Sequence, residues 1–421
     1  MMEFRVETVG QAGDGVVTAD GERVFVPFTA PGDLIELRVE PQTGRGSPRR
    51  GRIGRLIEAG PDRVEPPCRH FGRCGGCALQ HLSEGFLADW KRAAVITALG
   101  RRGFEEPPVA PTFRGGPARR RRAVFTARAD RRGAISLGFH ERRGRALVDI
   151  GECPVTEPEI ESLIPALKLA MEGLLTLRGE ARLTVNLTDA GADLLIAGDL
   201  TESLALHERL ADFAAARDLA RLSLQRAGDA PTTLVERRRP ELRWPPLSVT
   251  PPPGAFLQAD RRIEARMREL VAEWSADAGR AADLFCGVGT LASALPLRAG
   301  DLAADSDAAA VAALKAGVDR APGVELETAV RNLQRRPFQA GELSGFGLVM
   351  LDPPAAGARE QCEQIARSGV ARVIYVSCAP ATFARDARIL ADAGFRLAAV
   401  EPLDQFFWAP DVELAALLVR D

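Results

Sequence analysis

A glycine turn, a carboxylate and a thiol each close an apolar run in the last third of this 421-residue chain. The run at 281–285 ends in Cys286-Gly287-Val288-Gly289-Thr290, the run at 346–351 ends in Asp352-Pro353-Pro354, and the run at 373–376 ends in Ser377-Cys378-Ala379-Pro380. Short apolar, β-branched runs cut off by glycine or proline read as buried strands. In open α/β sheets, ligands bind in the crevice outside the carboxyl ends of the strands. Three such ends would bring the turn, the carboxylate and the thiol to one crevice, a set suited to group transfer through a covalent intermediate.

Gly287 and Gly289 let the backbone pass close to a ligand, and a helix starting after them would favour a carboxylate or phosphate. The same stretch fits the dinucleotide pattern with Ala292 in third place, and Asp305 lies at the distance of a ribose partner in either reading. Cys378 decides against hydride transfer, which has no evident need for a thiol. Free cysteine often simply packs, and Cys286 and Cys362 read that way. Cys378, at a strand end before a proline, reads as a reactive thiol. Asp352, held against rigid backbone, can orient a polar substrate edge. Glu413, after the aromatic stretch 404–408, reads from its own surroundings as an ordinary solvated glutamate.

A second constellation is Cys68-x5-Cys74-Gly75-Gly76-Cys77, three thiols within ten residues. Zinc would take a fourth ligand from His70 or His81. An iron–sulfur cluster would take a fourth cysteine, for which Cys153 in Gly-Glu-Cys-Pro-Val is the candidate.

The elements that must hold these groups follow from the rest of the chain. Residues 1–60 carry five short strand signals between glycine turns, as in a small antiparallel barrel. Residues 61–90 form the cysteine loop and run into a helix near 86–99. Strand signals return over 119–150, and 157–245 mixes two helices with two hairpins. The proline-dense stretch 244–254 reads as a linker. A helix over 259–275 and alternating strand and helix signals then argue for a parallel, doubly wound sheet. The expected organisation is a barrel at 1–60, a central α+β region at 61–250 and an α/β domain at 251–421.

Net charge is only −2, yet residues 101–145 hold 13 arginines against four acidic residues, and 38–55 hold six against one. Such stretches predict a local phosphate-binding face. No apolar run approaches the roughly 20 residues a membrane-spanning helix needs, and the start, Met-Met-Glu-Phe-Arg, lacks the pattern of a signal peptide. A cytoplasmic chain with reduced thiols is expected, with no obligate protein partner. Its seven cysteines then point to metal or catalysis over a disulfide framework.

In this order the motifs resemble the S-adenosylmethionine-dependent RNA uracil-5-methyltransferases that carry an iron–sulfur cluster. The resemblance spans essentially the whole chain. It rests on the leading barrel (a TRAM-type, OB-like domain), Cys68, Cys74, Cys77 and Cys153, Pro253-Gly-Ala-Phe-Leu-Gln258, Asp283-Leu-Phe-Cys-Gly-Val-Gly289, Asp352-Pro-Pro, Ser-Cys378-Ala-Pro-Ala-Thr382 and Val412-Glu413. The resemblance implies a Rossmann-like methyltransferase domain and a 4Fe-4S cluster on the four cysteines. It also implies a crevice lined by Gln258, Phe285, Thr290, Asp305, Asn332 and Asp352, with Cys378 as nucleophile and Glu413 as base. It departs from the family pattern at Ala355, Ala379 and Asp411, where arginine, asparagine and histidine are usual. The implied substrate is a uridine of 23S ribosomal RNA, with transfer RNA as the alternative. The departures keep a further reading open, a non-catalytic RNA-binding or assembly relative. A dinucleotide-dependent oxidoreductase is the competing enzyme class.

Overall fold

The computed structural model describes residues 3–420 apart from 43, 45 and 202. The amino-terminal strands are β1 (Glu3–Arg5), β2 (Thr8–Val9), β3 (Gly15–Ala19), β4 (Glu22–Val26), β5 (Leu34–Val39) and β6 (Arg49–Glu58), in the order β1-β5-β6-β4-β3-β2. The first expected strand is thus split at Val6. Its two halves pair with β5 and with β3, so one segment supplies the strands at both ends of the six-stranded order. Val6, Val17, Val24, Val26 and Ile35 fill the interior.

Helix α1 (Glu84–Gly100) is started by Ser83, whose hydroxyl accepts from Phe86 N at 3.2 Å. The central sheet follows, with β7 (Arg122–Ala129), β8 (Ile135–His140), β9 (Leu147–Asp149), α2 (Pro158–Ala170), β10 (Glu180–Thr188), β11 (Gly191–Gly198), α3 (Leu204–Ala216), β12 (Arg221–Arg226) and β13 (Thr232–Glu236). Its order is β13-β12-β11-β10-β7-β8-β9, antiparallel except where α3 carries the chain from β11 to the parallel β12.

The expected linker is a packed hairpin. Strands β14 (Leu242–Trp244) and β15 (Leu247–Val249) bury Trp244, Leu247 and Val249 against α4 (Arg261–Ser275) and the last sheet. The proline signal marked a tight connection whose apolar flanks had a core to join.

The carboxyl-terminal sheet comprises β16 (Ala281–Leu284), β17 (Leu302–Asp305), α5 (Ala308–Arg320), β18 (Glu327–Val330), β19 (Leu348–Leu351), α6 (Arg359–Ala366), β20 (Arg372–Ser377), α7 (Pro380–Asp392), β21 (Arg396–Leu403) and β22 (Glu413–Val419). The order is β18-β17-β16-β19-β20-β22-β21. Strands β16 to β20 are mutually parallel, and β16, β19 and β20 are buried on both faces, which is why those three read as unbroken apolar runs. The wholly parallel expectation fails at the end, because β22 runs antiparallel to both β20 and β21. No helix follows the glycine turn either. Only one 3-10 turn (Ala292–Ala294) forms before Pro296, whose ring opposes a helical residue before it. Helix α1 packs its Val95, Ala98 and Leu99 into this domain's core, and no helix among the described residues is long and apolar enough to cross a membrane.

Candidate active site

The chain order of β16, β17 and β19 reverses about β16, so the crevice opens where their carboxyl ends diverge. Phe285 to Gly289 leave β16 there, Asp305 ends β17, Asp352 follows β19 and Cys378 follows β20. The reversed β22 brings its first residue to the same edge. Its pairing of Ser377 with Leu414 sets Glu413 opposite Cys378, and Leu403 flanks Glu413 on the other side. A cavity of about 460 Å³ at this edge is lined by Gln258, Phe285, Thr290, Asp352, Cys378 and Glu413, among others.

Two glutamines tie the acidic groups together. Ala259 N donates to Gln405 Oε1 at 3.0 Å, which fixes which end of that amide carries the hydrogens. Gln405 Nε2 then donates to Glu413 Oε2 at 2.6 Å and to Gln258 Oε1 at 3.0 Å. Gln258 Nε2 in turn donates to Asp352 Oδ2 at 3.2 Å.

Electrostatics follow from this packing. Burial, reinforced by the charge of Asp352, lifts Glu413 to about 8. Burial and the Asp305 charge lift Asp352 to about 7. Asp283, at the bottom of the crevice, is pushed to about 8 by burial and by Asp352. Its Oδ2 accepts from Ala292 N at 2.9 Å, while its Oδ1 is buried without a hydrogen-bond partner. The Cys378 thiol rises to about 11, through burial and the neighbouring charges of Glu413 and Asp352. Glu413, which its own sequence surroundings marked as solvated, is only 4 % exposed. It is a carboxyl held out of water beside a thiol.

The glycine turn forms a cradle. Phe285 takes φ +68°, unusual for a bulky side chain, and is held by its N–H donating to Ala304 O at 2.9 Å. Gly289 has φ +90°, and a Cβ there would come 2.5 Å from Leu314 Cδ1, so only glycine fits. Asp305 Oδ2 accepts from Gly287 N at 3.0 Å. Several carboxyl groups line it, and the one long helix amino terminus at its wall, that of α5, is already capped by the Asp307 carboxylate, so the crevice suits a cationic ligand and disfavours a pyrophosphate.

Cys68, Cys74, Cys77 and Cys153 line a separate cavity of about 350 Å³. All are free thiols, half-buried. Burial drives Cys77 up to about 12, its neighbouring thiols adding to the effect. Among the described residues no three Cys, His, Asp or Glu side chains are arranged to hold a single metal ion. His81 has left any such role, being buried with Nε2 at 3.1 Å from Thr29 O, whereas His70 lines the cavity.

Residues 250–421 match the tRNA (uracil-5-)-methyltransferase family. An uncharacterized RNA methyltransferase of Caulobacter vibrioides is 42% identical over 100% of both chains. The 23S rRNA (uracil(1939)-C(5))-methyltransferase of Halomonas elongata is 31% identical over 99% of this chain and 89% of its own. The chain belongs to the RNA uracil-5-methyltransferase family. It is accordingly an RNA-directed methyltransferase. Its fold matches that of the Pyrococcus abyssi tRNA (uracil-54, C5)-methyltransferase, with a TM-score of 0.77 at 24% identity, over 99% of this chain and 100% of that one.

Of the family residues expected in the crevice, Gln258, Phe285, Gly287, Thr290, Asp305 and Asp352 line it together, and Gly289 shapes the turn. Asn332 stands apart, exposed beyond β18, with Oδ1 accepting from Arg335 N at 3.1 Å. Ala379 and Asp411 face a third cavity, beside Cys378. Sequence reading missed Gln405, Asp283's role in the crevice floor, and the buried Lys91–Asp404 pair that anchors the loop before Glu413. It also overcounted free arginines. Arg114, Arg121, Arg128, Arg142 and Arg143 pair with Glu84, Glu264, Glu180 and Asp14, and Arg120 and Arg122 lie over the rings of Phe406 and Phe256.

Proposed function

We propose that this enzyme methylates carbon 5 of a uridine in RNA, with Cys378 as nucleophile, Glu413 as base and S-adenosylmethionine as donor. The observation that carries the reading is the pairing of a thiol with a buried, high-pKa carboxyl across β20 and β22. Carbon 5 of uracil is too weak a nucleophile unaided. The Cys378 thiolate forms a bond to carbon 6, which gives carbon 5 enolate character; covalent catalysis divides a hard step into easier ones. Carbon 5 would then take the electrophilic methyl group that bound S-adenosylmethionine offers, the carbon–carbon bond forming as the sulfonium carbon–sulfur bond breaks. Glu413 then takes the carbon 5 proton, the ring double bond re-forms and the Cys378 sulfur is expelled. A carboxyl lifted toward neutrality is the stronger base for that proton. Gln258 and Asp352 would orient the uracil edge, and the target base must leave its stack to reach them.

The donor fits the residues present. Asp283 offers a buried, unpartnered oxygen, Asp305 ends β17 at the place of a ribose partner, and the acidic floor suits a sulfonium and an amino group. For the four-cysteine cavity we read a 4Fe-4S cluster on Cys68, Cys74, Cys77 and Cys153. Four free thiols around one space match a cluster better than a single ion. We read the leading barrel as a TRAM domain that, with the central region, holds RNA.

For the substrate, full-length similarity to the Halomonas enzyme favours 23S ribosomal RNA, and a loop or bulge is where a base can be splayed out. Transfer RNA is the second reading, favoured by the family name attached to residues 250–421. The test is in two parts. Cys378→Ala should abolish methyl transfer while keeping cofactor binding, and Glu413→Gln should accumulate a protein–RNA adduct on denaturing gels. Appreciable turnover by Cys378→Ala would sink the mechanism. Mapping 5-methyluridine in cells with and without the protein then assigns the RNA.

A further inference from the structure

A third cavity, about 470 Å³, opens beside the crevice and shares with it a single lining residue, Cys378. Its walls include Ala98, Arg101 and Arg102 of the α1 end, Ala379 and Ala381 at the start of α7, and Gln11 from the barrel. We infer that this cavity is the exit path of the RNA strand, receiving the nucleotide next to the target uridine with its phosphate against Arg101 and Arg102.

The inference rests on the reading of Cys378 as the nucleophile toward carbon 6. In a pyrimidine ring, carbon 6 lies between carbon 5 and N1. When carbon 6 sits on the sulfur and carbon 5 turns toward the donor crevice, N1 and its ribose must turn the other way. The third cavity adjoins Cys378 and shares no other lining residue with the donor crevice, so it offers the space for that turn. Small side chains at 98, 379 and 381 leave it open. Arg101 and Arg102 are exposed and have no ion pair in the described structure, whereas Arg114, Arg121 and Arg128 are each committed to a carboxylate. Asp411 also lines the cavity. Its carboxylate repels a phosphate, which confines the phosphate to the arginine end, and accepts from a ribose hydroxyl or a base amino group. Gln11 brings the barrel into the same path, so barrel and catalytic domain grip one strand.

The test compares wild type with the double variant Arg101→Ala/Arg102→Ala and with Ala381→Trp, an exposed position where the larger ring fills the cavity. The probes are a 23S ribosomal RNA transcript and S-adenosylmethionine. The double variant should bind RNA at least tenfold more weakly, with the log–log salt slope smaller in magnitude by about 1 to 2, as expected for lost phosphate contacts. KM for RNA should rise to match. Ala381→Trp should weaken RNA binding at least tenfold with an unchanged salt slope, since it removes space and no charge. Donor binding should stay within twofold in both. RNA affinity within twofold of wild type in both variants overturns the assignment, and so does an equal loss of donor binding. If wild type forms the Cys378 adduct while these variants bind RNA normally, the strand path fails and the chemistry stands. If Cys378→Ala still turns over, the underlying reading fails.

Discussion

Gln405 Nε2 lies 2.6 Å from Glu413 Oε2, and the orientation of that amide is dictated by a backbone N–H at Ala259. The bond lowers the Glu413 pKa against the burial and the Asp352 charge that raise it. Gln405 also donates to Gln258 Oε1, so one side chain aligns both the proposed base and the glutamine proposed to meet the substrate.

Replacing Gln405 with methionine keeps the volume and removes all three hydrogen bonds. Glu413 should then titrate above its present value of about 8, and because the base works deprotonated, the rising limb of the pH–rate profile should move to higher pH. We expect kcat to fall about 10- to 100-fold, part of the ~10²–10⁴-fold a positioned base contributes. KM for the donor should change little. An unchanged pH profile would show that Gln405 merely fills space.

Cys378 gives a second pH signature. A thiol raised from 9.0 to about 11 has about a hundredfold less thiolate at pH 8. Peptide-resolved alkylation by iodoacetamide in donor-free protein should therefore be slow at pH 8 and climb steadily to pH 11. Burial is the first cause and stays in place, but Glu413→Gln removes the repelling charge, so its alkylation curve should shift to lower pH. A Cys378 that alkylates like a free thiol would contradict this picture of the resting site.

The parts of this site that were legible in the sequence are those set by local chain properties. Strands covered on both faces must be continuously apolar, and the residue that breaks the run is at the strand end, so Gly287, Asp352 and Cys378 announced themselves. Glu413 did not, because its place depends on β22 running backwards, and that direction comes from pairing with β20 and β21. Gln405 has no signature at all; a glutamine among aromatics becomes an orienting group only when Ala259, 146 residues away, supplies a donor. Arg121 likewise looked like surface charge until Glu264 met it in the interior. The proline-rich stretch at 244–254 misled for the opposite reason, since turn residues are as useful inside a packed hairpin as in a linker.

Lys91 and Asp404 form a buried pair, and Lys91 Nζ also donates to Phe406 O at 2.9 Å. The segment they anchor carries Gln405 and leads to Glu413. Lys91→Met should leave the Asp404 charge without its partner and destabilise the protein by about 3–5 kcal/mol in urea unfolding. The double variant Lys91→Met/Asp404→Leu should recover most of that loss. A single variant less than about 1 kcal/mol weaker than wild type would mean the pair is not buried as described.

The four-cysteine cavity yields the last prediction. Phe406 borders both this cavity and the catalytic crevice, and the Arg120 guanidinium lies 5.9 Å from the Phe406 ring centroid. A cluster there would brace the wall of the active site without joining the reaction, which involves no redox step. Protein prepared without oxygen should be brown and carry about four irons per chain. Cys153→Ser should lose most of that iron and unfold at a lower temperature, because the three remaining half-buried sulfurs would lose their common partner. Donor binding, which uses none of these thiols, should survive if the fold does. Stoichiometric zinc without iron in the anaerobic protein, with His70 completing its ligands, would refute the cluster and leave the methyl-transfer site untouched.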